Sequence, residues 1–173
     1  MDKKPVCVII GLMITRIWVA IGLVWASMAL QASTASATTA WTQDYEVARK
    51  QARATDKPIL ALFTGSDWCP PCKQFEKDVA YSTRFLDYVG DKVVLLKLDF
   101  PQHMLQSPAL IAQNVALAER IGGMEYPRFY LLDANGEVLV KLKTRVERQA
   151  SDYCDYILQA IGEGLAEIEK TRR

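Results

Sequence analysis

Apolar positions in this chain fall into two rhythms, and the rhythms mark out helices and strands. Trp41, Tyr45, Ala48 and Ala52 recur at helical spacing, with Asp44 and Glu46 early and Lys50 and Arg53 late. The pattern predicts a helix capped by Thr42 and closed at Asp56-Lys57-Pro58. Ile59–Thr64 is a short continuous apolar run, as in a strand buried on both faces. Gly65-Ser66-Asp67 turns the chain, and a helix is predicted to begin near Cys69 with Cys72, Phe75 and Val79 on one side.

A short helix over Thr83–Val89 follows, then a second apolar strand over residues 92–100, ended by Pro101. Residues 108–120 favour helix and stop at Gly122-Gly123. Arg128–Leu132 reads as a strand, Asp133-Ala134-Asn135-Gly136 as a hairpin turn and residues 137–142 as the returning strand. An amphipathic helix over residues 151–170 closes the pattern. Strand–helix–strand comes first and a hairpin later, so the expected fold is α/β, with a central mixed sheet flanked by helices on both faces.

The first forty residues follow neither rhythm. Residues 6–30 are almost wholly apolar, preceded by Lys3 and Lys4 and interrupted by Arg16; small residues follow, including Ala35-Ser36-Ala37. A basic start, an apolar stretch and an A-x-A site read as a secretory signal over residues 1–37, with the mature domain over 38–173. A start at Met13 gives an apolar run of more usual signal length. The run is also long enough to span a bilayer, so an uncleaved anchor is the alternative. Cys7, inside it, reads as a small hydrophobe.

Charge narrows the function classes. The chain has 21 basic and 20 acidic residues. Loss of residues 1–37 would remove Lys3, Lys4, Arg16 and Asp2 and leave 18 and 19. A balance so close to neutral gives no reason to expect a nucleic-acid surface. Four cysteines are too few and too unevenly spaced for a disulfide-stapled scaffold.

Two of them stand in Trp68-Cys69-Pro70-Pro71-Cys72-Lys73. Tetrahedral zinc would need two more ligands, and the chain offers no second Cys-x-x-Cys and a single histidine, so no metal is expected. A purely structural disulfide closing so small a loop would remove little chain entropy. A redox pair fits the context. A thiolate at a helix N-terminus is stabilised by the partial positive charge there, which suits Cys69 as nucleophile. Cys72, one turn on, would then resolve the mixed disulfide. Pro70 and Pro71 fall in the first turn, where a missing N–H breaks no helical bond.

Residues 59–73, ILALFTGSDWCPPCK, resemble the strand and active-site segment of thioredoxins. Residues 124–132, MEYPRFYLL, with Asn135-Gly136-Glu137 after them, resemble that family's second hallmark, a cis-proline opening a strand opposite the cysteines. The resemblance covers about residues 41–170. It implies a thioredoxin fold with an N-terminal helix and an insertion before the cis-proline. It also implies a cis Tyr126–Pro127 bond, and a substrate groove shaped by Tyr126, Pro127 and Trp68 beside Cys69, with Pro70 and Pro71 at its rim. No cofactor is implied beyond the Cys69–Cys72 disulfide. Within the family, the chain is similar to reducing periplasmic Dsb proteins of the DsbH-like kind. That implies a monomer acting on disulfide-containing exported proteins, with a membrane thiol transporter as electron donor.

The chain also departs from the pattern. Thioredoxins place a buried acid just before the phenylalanine of the first central strand; here that residue is Leu62. Glu76 and Asp67 are the candidates for proton transfer in its place, against the plainer reading of both as solvated carboxylates. The insertion, around residues 102–113, holds the lone His103 and suggests a partner surface. Cys154 lies among Ile157, Leu158 and Ile161 at helical spacing and reads as a buried inert thiol. The double proline removes two N–H groups beside Cys69, which argues for a less stabilised thiolate and a reducing potential. A dithiol oxidase and a metallochaperone using the pair as soft ligands are the competing readings.

Overall fold

A computed structural model of the protein describes residues 40–122, 125–143 and 150–173, with side chains from 153 onward in the last stretch. Residues 1–37, expected from the sequence to be a secretory signal, with Cys7 and Met13, lie outside the described residues, as does Met124. The described residues fall in one compact unit, Ala37–Arg173. Among them no helix is long and apolar enough to cross a membrane.

The chain runs α1 (Tyr45–Thr55), β1 (Ile59–Thr64), α2 (Pro70–Phe75), α3 (Thr83–Val89), β2 (Val94–Asp99), α4 (Pro108–Ile121), β3 (Arg128–Leu132), β4 (Val138–Lys141) and α5 (Ala150–Arg172). A π-helical turn, Glu76–Ala80, continues α2 without a break. The sheet order is β2-β1-β3-β4. β1 pairs parallel to β2 and antiparallel to β3, and β4 pairs antiparallel to β3. The mixed sheet expected from the sequence is the one observed.

Alternation along β1 explains the two faces. Leu60 and Leu62 join Phe75, Val79, Phe85, Phe129 and Ile157 in a core beneath α2, α3 and α5. Ile59, Ala61 and Phe63 join Tyr45, Ala48, Leu117 and Tyr130 in a second core beneath α1 and α4. All six residues of β1 are buried, as a central strand with helices on both sides requires.

The helix starts show where local chemistry decides. Asp44, rather than Thr42, caps α1: its carboxylate accepts the Val47 N–H at 3.0 Å. Thr42 is drawn into the sheet instead. Its N–H donates to the Leu95 carbonyl at 3.0 Å and its own carbonyl accepts the Lys97 N–H at 2.8 Å, bridging to the outer edge of β2. Ser82 and Ser107 cap α3 and α4. α4 ends at Gly122, whose φ of 85° suits a residue without Cβ.

Candidate functional site

β1 delivers the chain to the cysteines. After Thr64 it turns through Gly65-Ser66-Asp67, and the Cys69 N–H donates back to the Gly65 carbonyl at 2.9 Å. Cys69 is the N-cap of α2, with extended backbone, and its Sγ accepts the Cys72 N–H at 3.3 Å. Pro70 and Pro71 occupy the first two helical positions, as the pattern predicts. Cys69 and Cys72 form a disulfide with Cα atoms 5.2 Å apart. Cys69 retains 3% exposure and Cys72 none, so any attack from outside must fall on Cys69. Pro70 is exposed and Pro71 half-buried at the rim.

Aromatic rings form the wall beside this loop. The Trp68 indole N–H donates to the Phe100 carbonyl at 2.8 Å. Its ring meets Tyr126 edge-on, centroids 5.4 Å apart. Tyr126 also leans on Phe100, which stacks on Phe63. Burial pushes the Tyr126 hydroxyl above its ordinary pKa. The Tyr126–Pro127 peptide is cis, and Pro127 is buried at the start of β3. The sequence singled out Trp68 and Tyr126 separately; the fold brings them into contact.

The proposed proton carriers lie in different places. Asp67 turns outward to the insertion, where its carboxylate accepts backbone N–H groups of Gln102, His103 and Met104 at 2.6–3.1 Å. Desolvation pushes its pKa up, but the three backbone donors together outweigh it and hold the carboxyl below its ordinary value. Asp67 is therefore a loop anchor. His103 is exposed and contributes its backbone to that anchor. Beside the anchored loop lies an open cleft of about 160 Å³ lined by Phe100, Pro101, Met104, Ile111 and Asn114. Leu105 is fully exposed at the loop's tip.

Glu76 is no solvated surface carboxylate. It is half-buried, 2.8 Å from Lys97 Nζ, and accepts from Thr64 Oγ1 at 3.3 Å. Lys97 and Asp99, both on β2, are themselves buried. Asp99 accepts the Ser66 N–H at 3.0 Å and the Ser66 hydroxyl at 2.5 Å, fixing the turn before the cysteines. Sequence reasoning passed over Lys97; its signal was a lone lysine inside the apolar run Val93-Val94-Leu95-Leu96-Lys97-Leu98. Cys154 packs half-buried against the α5-side core rather than wholly inside it.

Comparison with known proteins places this geometry. Residues 40–134, more than half of the chain, match the model of the thioredoxin-like family. The chain is 33% identical over 92 residues to the thioredoxin-related protein DsbJ of Chlamydia pneumoniae, which is 53% of this chain and 26% of that protein. It is 29% identical over 108 residues to the disulfide bond reductase DsbH of the same organism, 62% of this chain and 64% of that protein. The chain thus spans about a quarter of the one relative and just under two thirds of the other. A solved structure of a DsbH oxidoreductase superposes with a TM-score of 0.59 at 25% identity, over 77% of this chain and 92% of that one. Family match, shared sheet and a disulfide at the N-cap of α2 agree, and the chain belongs to the thioredoxin-like family.

Proposed function

We propose that the protein is an exported thiol–disulfide oxidoreductase that reduces disulfides in periplasmic proteins. The observation that carries this reading is the Cys69–Cys72 disulfide at the N-cap of a helical segment running from residue 70 to 80. In the reduced protein, the Cys69 thiolate attacks a substrate disulfide and displaces one substrate thiolate. Cys72 then attacks the Cys69 sulfur, releases the second substrate sulfur and closes the protein's own disulfide. Two electrons pass to the substrate. A membrane dithiol donor restores Cys69 and Cys72, and no other cofactor enters. In this reading Trp68, Tyr126 and Pro127 shape the substrate groove, with Pro70 and Pro71 at its rim. The names of the relatives, a disulfide bond reductase among them, support the same direction.

The direction also has a local cause. Pro70 and Pro71 offer no N–H to the Cys69 sulfur, and the donor observed is the Cys72 N–H at 3.3 Å. A sparsely solvated thiolate is easier to oxidise, so the pair should act as a reductant. Equilibration of the purified protein in defined thiol–disulfide buffers tests this. A reduction potential near the roughly −270 mV of thioredoxin is expected. A value near the roughly −120 mV of strong periplasmic oxidants would reverse the direction. If no reversible couple formed, metal binding by the cysteines would become the leading reading.

A further inference from the structure

The insertion and the helix after it differ from the rest of the chain. Between Asp99 and Glu119 there is no Asp, Glu, Lys or Arg, although 24% of all residues are charged. α4 covers most of this stretch. A surface helix ordinarily turns polar residues to solvent. α4 instead buries Asn114, Leu117 and Ala118 and turns Ile111, Ala112, Val115 and Ala116 outward. Its apolar side continues onto the loop before it. Met104 and Ile111 line one cleft and are 53% and 48% exposed, and Leu105, next to Met104, is fully exposed. Apolar residues scattered singly need no explanation, but a contiguous uncharged patch marks a contact surface.

The patch is fastened to the redox loop. Asp67, two residues before Cys69, holds the backbone N–H groups of Gln102, His103 and Met104. Gln106 Nε2 and Asn114 Nδ2 both donate to the Asp99 carbonyl, at 3.2 and 2.9 Å, so the amides of the cleft are engaged inward. Phe100 joins this surface to the aromatic wall. It lines the cleft, its carbonyl accepts the Trp68 indole N–H, and its ring leans on Tyr126. A chain whose sulfur meets Cys69 and that runs along this wall arrives at Met104 and Leu105 within a few residues.

Charge decides what can lie there. An anionic lipid surface is met by Lys and Arg, and the stretch has neither. A charged face of a folded partner would strand its charges against apolar side chains. An extended apolar segment gains burial and strands none. Such segments are exposed in unfolded and partly folded chains and hidden in native ones. We propose, on the oxidoreductase reading above, that the loop over 101–107 and the outward face of α4 form a docking surface for extended apolar segments beside the disulfides of non-native polypeptides. Asp67 is the positioning residue that keeps this surface in line with Cys69.

Two peptides with the same cystine loop test this, one flanked by Leu, Val and Phe and the other by Ser and Gly. Single-turnover reduction by the purified, reduced protein gives a half-saturating concentration and a maximal rate for each. The apolar peptide should half-saturate at about tenfold lower concentration, as burial of one or two side chains allows. Leu105→Ser combined with Ile111→Ser should bring the two half-saturations close together. Both residues are exposed, so the fold should tolerate the change, and a thermal melt checks it. Asp67→Asn should narrow the same gap without altering the ratio of maximal rates, which a general loss of structure would not do. Equal half-saturations in the wild type, or a preference that survives the double substitution, would overturn the proposal. So would co-sedimentation with phosphatidylglycerol vesicles, or a concentration-dependent dimer, that the same two substitutions abolish. If the wild-type protein reduced neither peptide, the oxidoreductase reading itself would fall, a result distinct from these.

Discussion

A Cβ added to Gly65 would lie 2.5 Å from the Trp68 ring. Gly65→Ala should therefore displace Trp68, break its bond to Phe100 and cost about 1–3 kcal/mol. Tryptophan fluorescence and a thermal melt would show both effects, and an unmoved spectrum would mean that the ring relaxes freely. Asp67→Asn should weaken the acceptor shared by three amides and speed hydrogen exchange at Gln102, His103 and Met104. In the wild type, acid should act likewise. The folded Asp67 pKa is lowered, so its contribution is present above the unfolded value and is lost as pH falls through the folded one. Tyr153 behaves oppositely. Burial, with a smaller contribution from Tyr156, raises its pKa to about 12, and its buried hydroxyl has no hydrogen-bond partner. Its share of stability should be complete below pH ~10 and fade as pH rises through the folded value, by about 2–3 kcal/mol. Tyr153→Phe should remove that alkaline decline in a pH series of denaturant melts. The cysteines and Pro127 were legible because each rests on a local signature. Asp67's role was not, because its partners lie some 35 residues away and a carboxylate's direction is not written in its neighbours.

Helices and strands were legible nearly to their ends, since burial on one or two faces imprints a period on the chain. The exceptions have specific causes. Thr42 and Asp44 are both good caps, and a strand edge claimed Thr42. The run over 92–100 reads as apolar throughout, yet Lys97 enters the core because Glu76 and Asp99 meet it from elsewhere. α2 is held by its apolar side. Phase and ring chemistry put Phe75 among Phe85, Phe129 and Tyr153, edge-on to each with centroids 4.9–6.3 Å apart. Phe75→Ala should cost about 3–5 kcal/mol in a denaturant melt. Because the same helix carries both cysteines, the variant should also scatter the Cys69 geometry and slow disulfide reduction; full activity would show that the redox loop is held by the strand side alone.

At the scale of the molecule, export is the first question. A chain expressed from its own start in a two-membrane host should be recovered between the membranes with Thr38 as N-terminus, which mass spectrometry would read. A membrane-bound chain of full mass would favour the anchor. The sheet poses a different question. On one side, Thr42 occupies the middle of the outer edge of β2. On the other, β4 is the last strand in the order, with Val138 and Leu139 exposed. Free edges recruit strands from other chains. Among the described residues the outer edge of β2 carries the Thr42 bridge and β4 carries no further strand, so pairing between copies is favoured at β4 over β2. By bridging to β2 and leaving the cap of α1 to Asp44, Thr42 biases edge-to-edge growth towards β4, where two copies would meet as a pair.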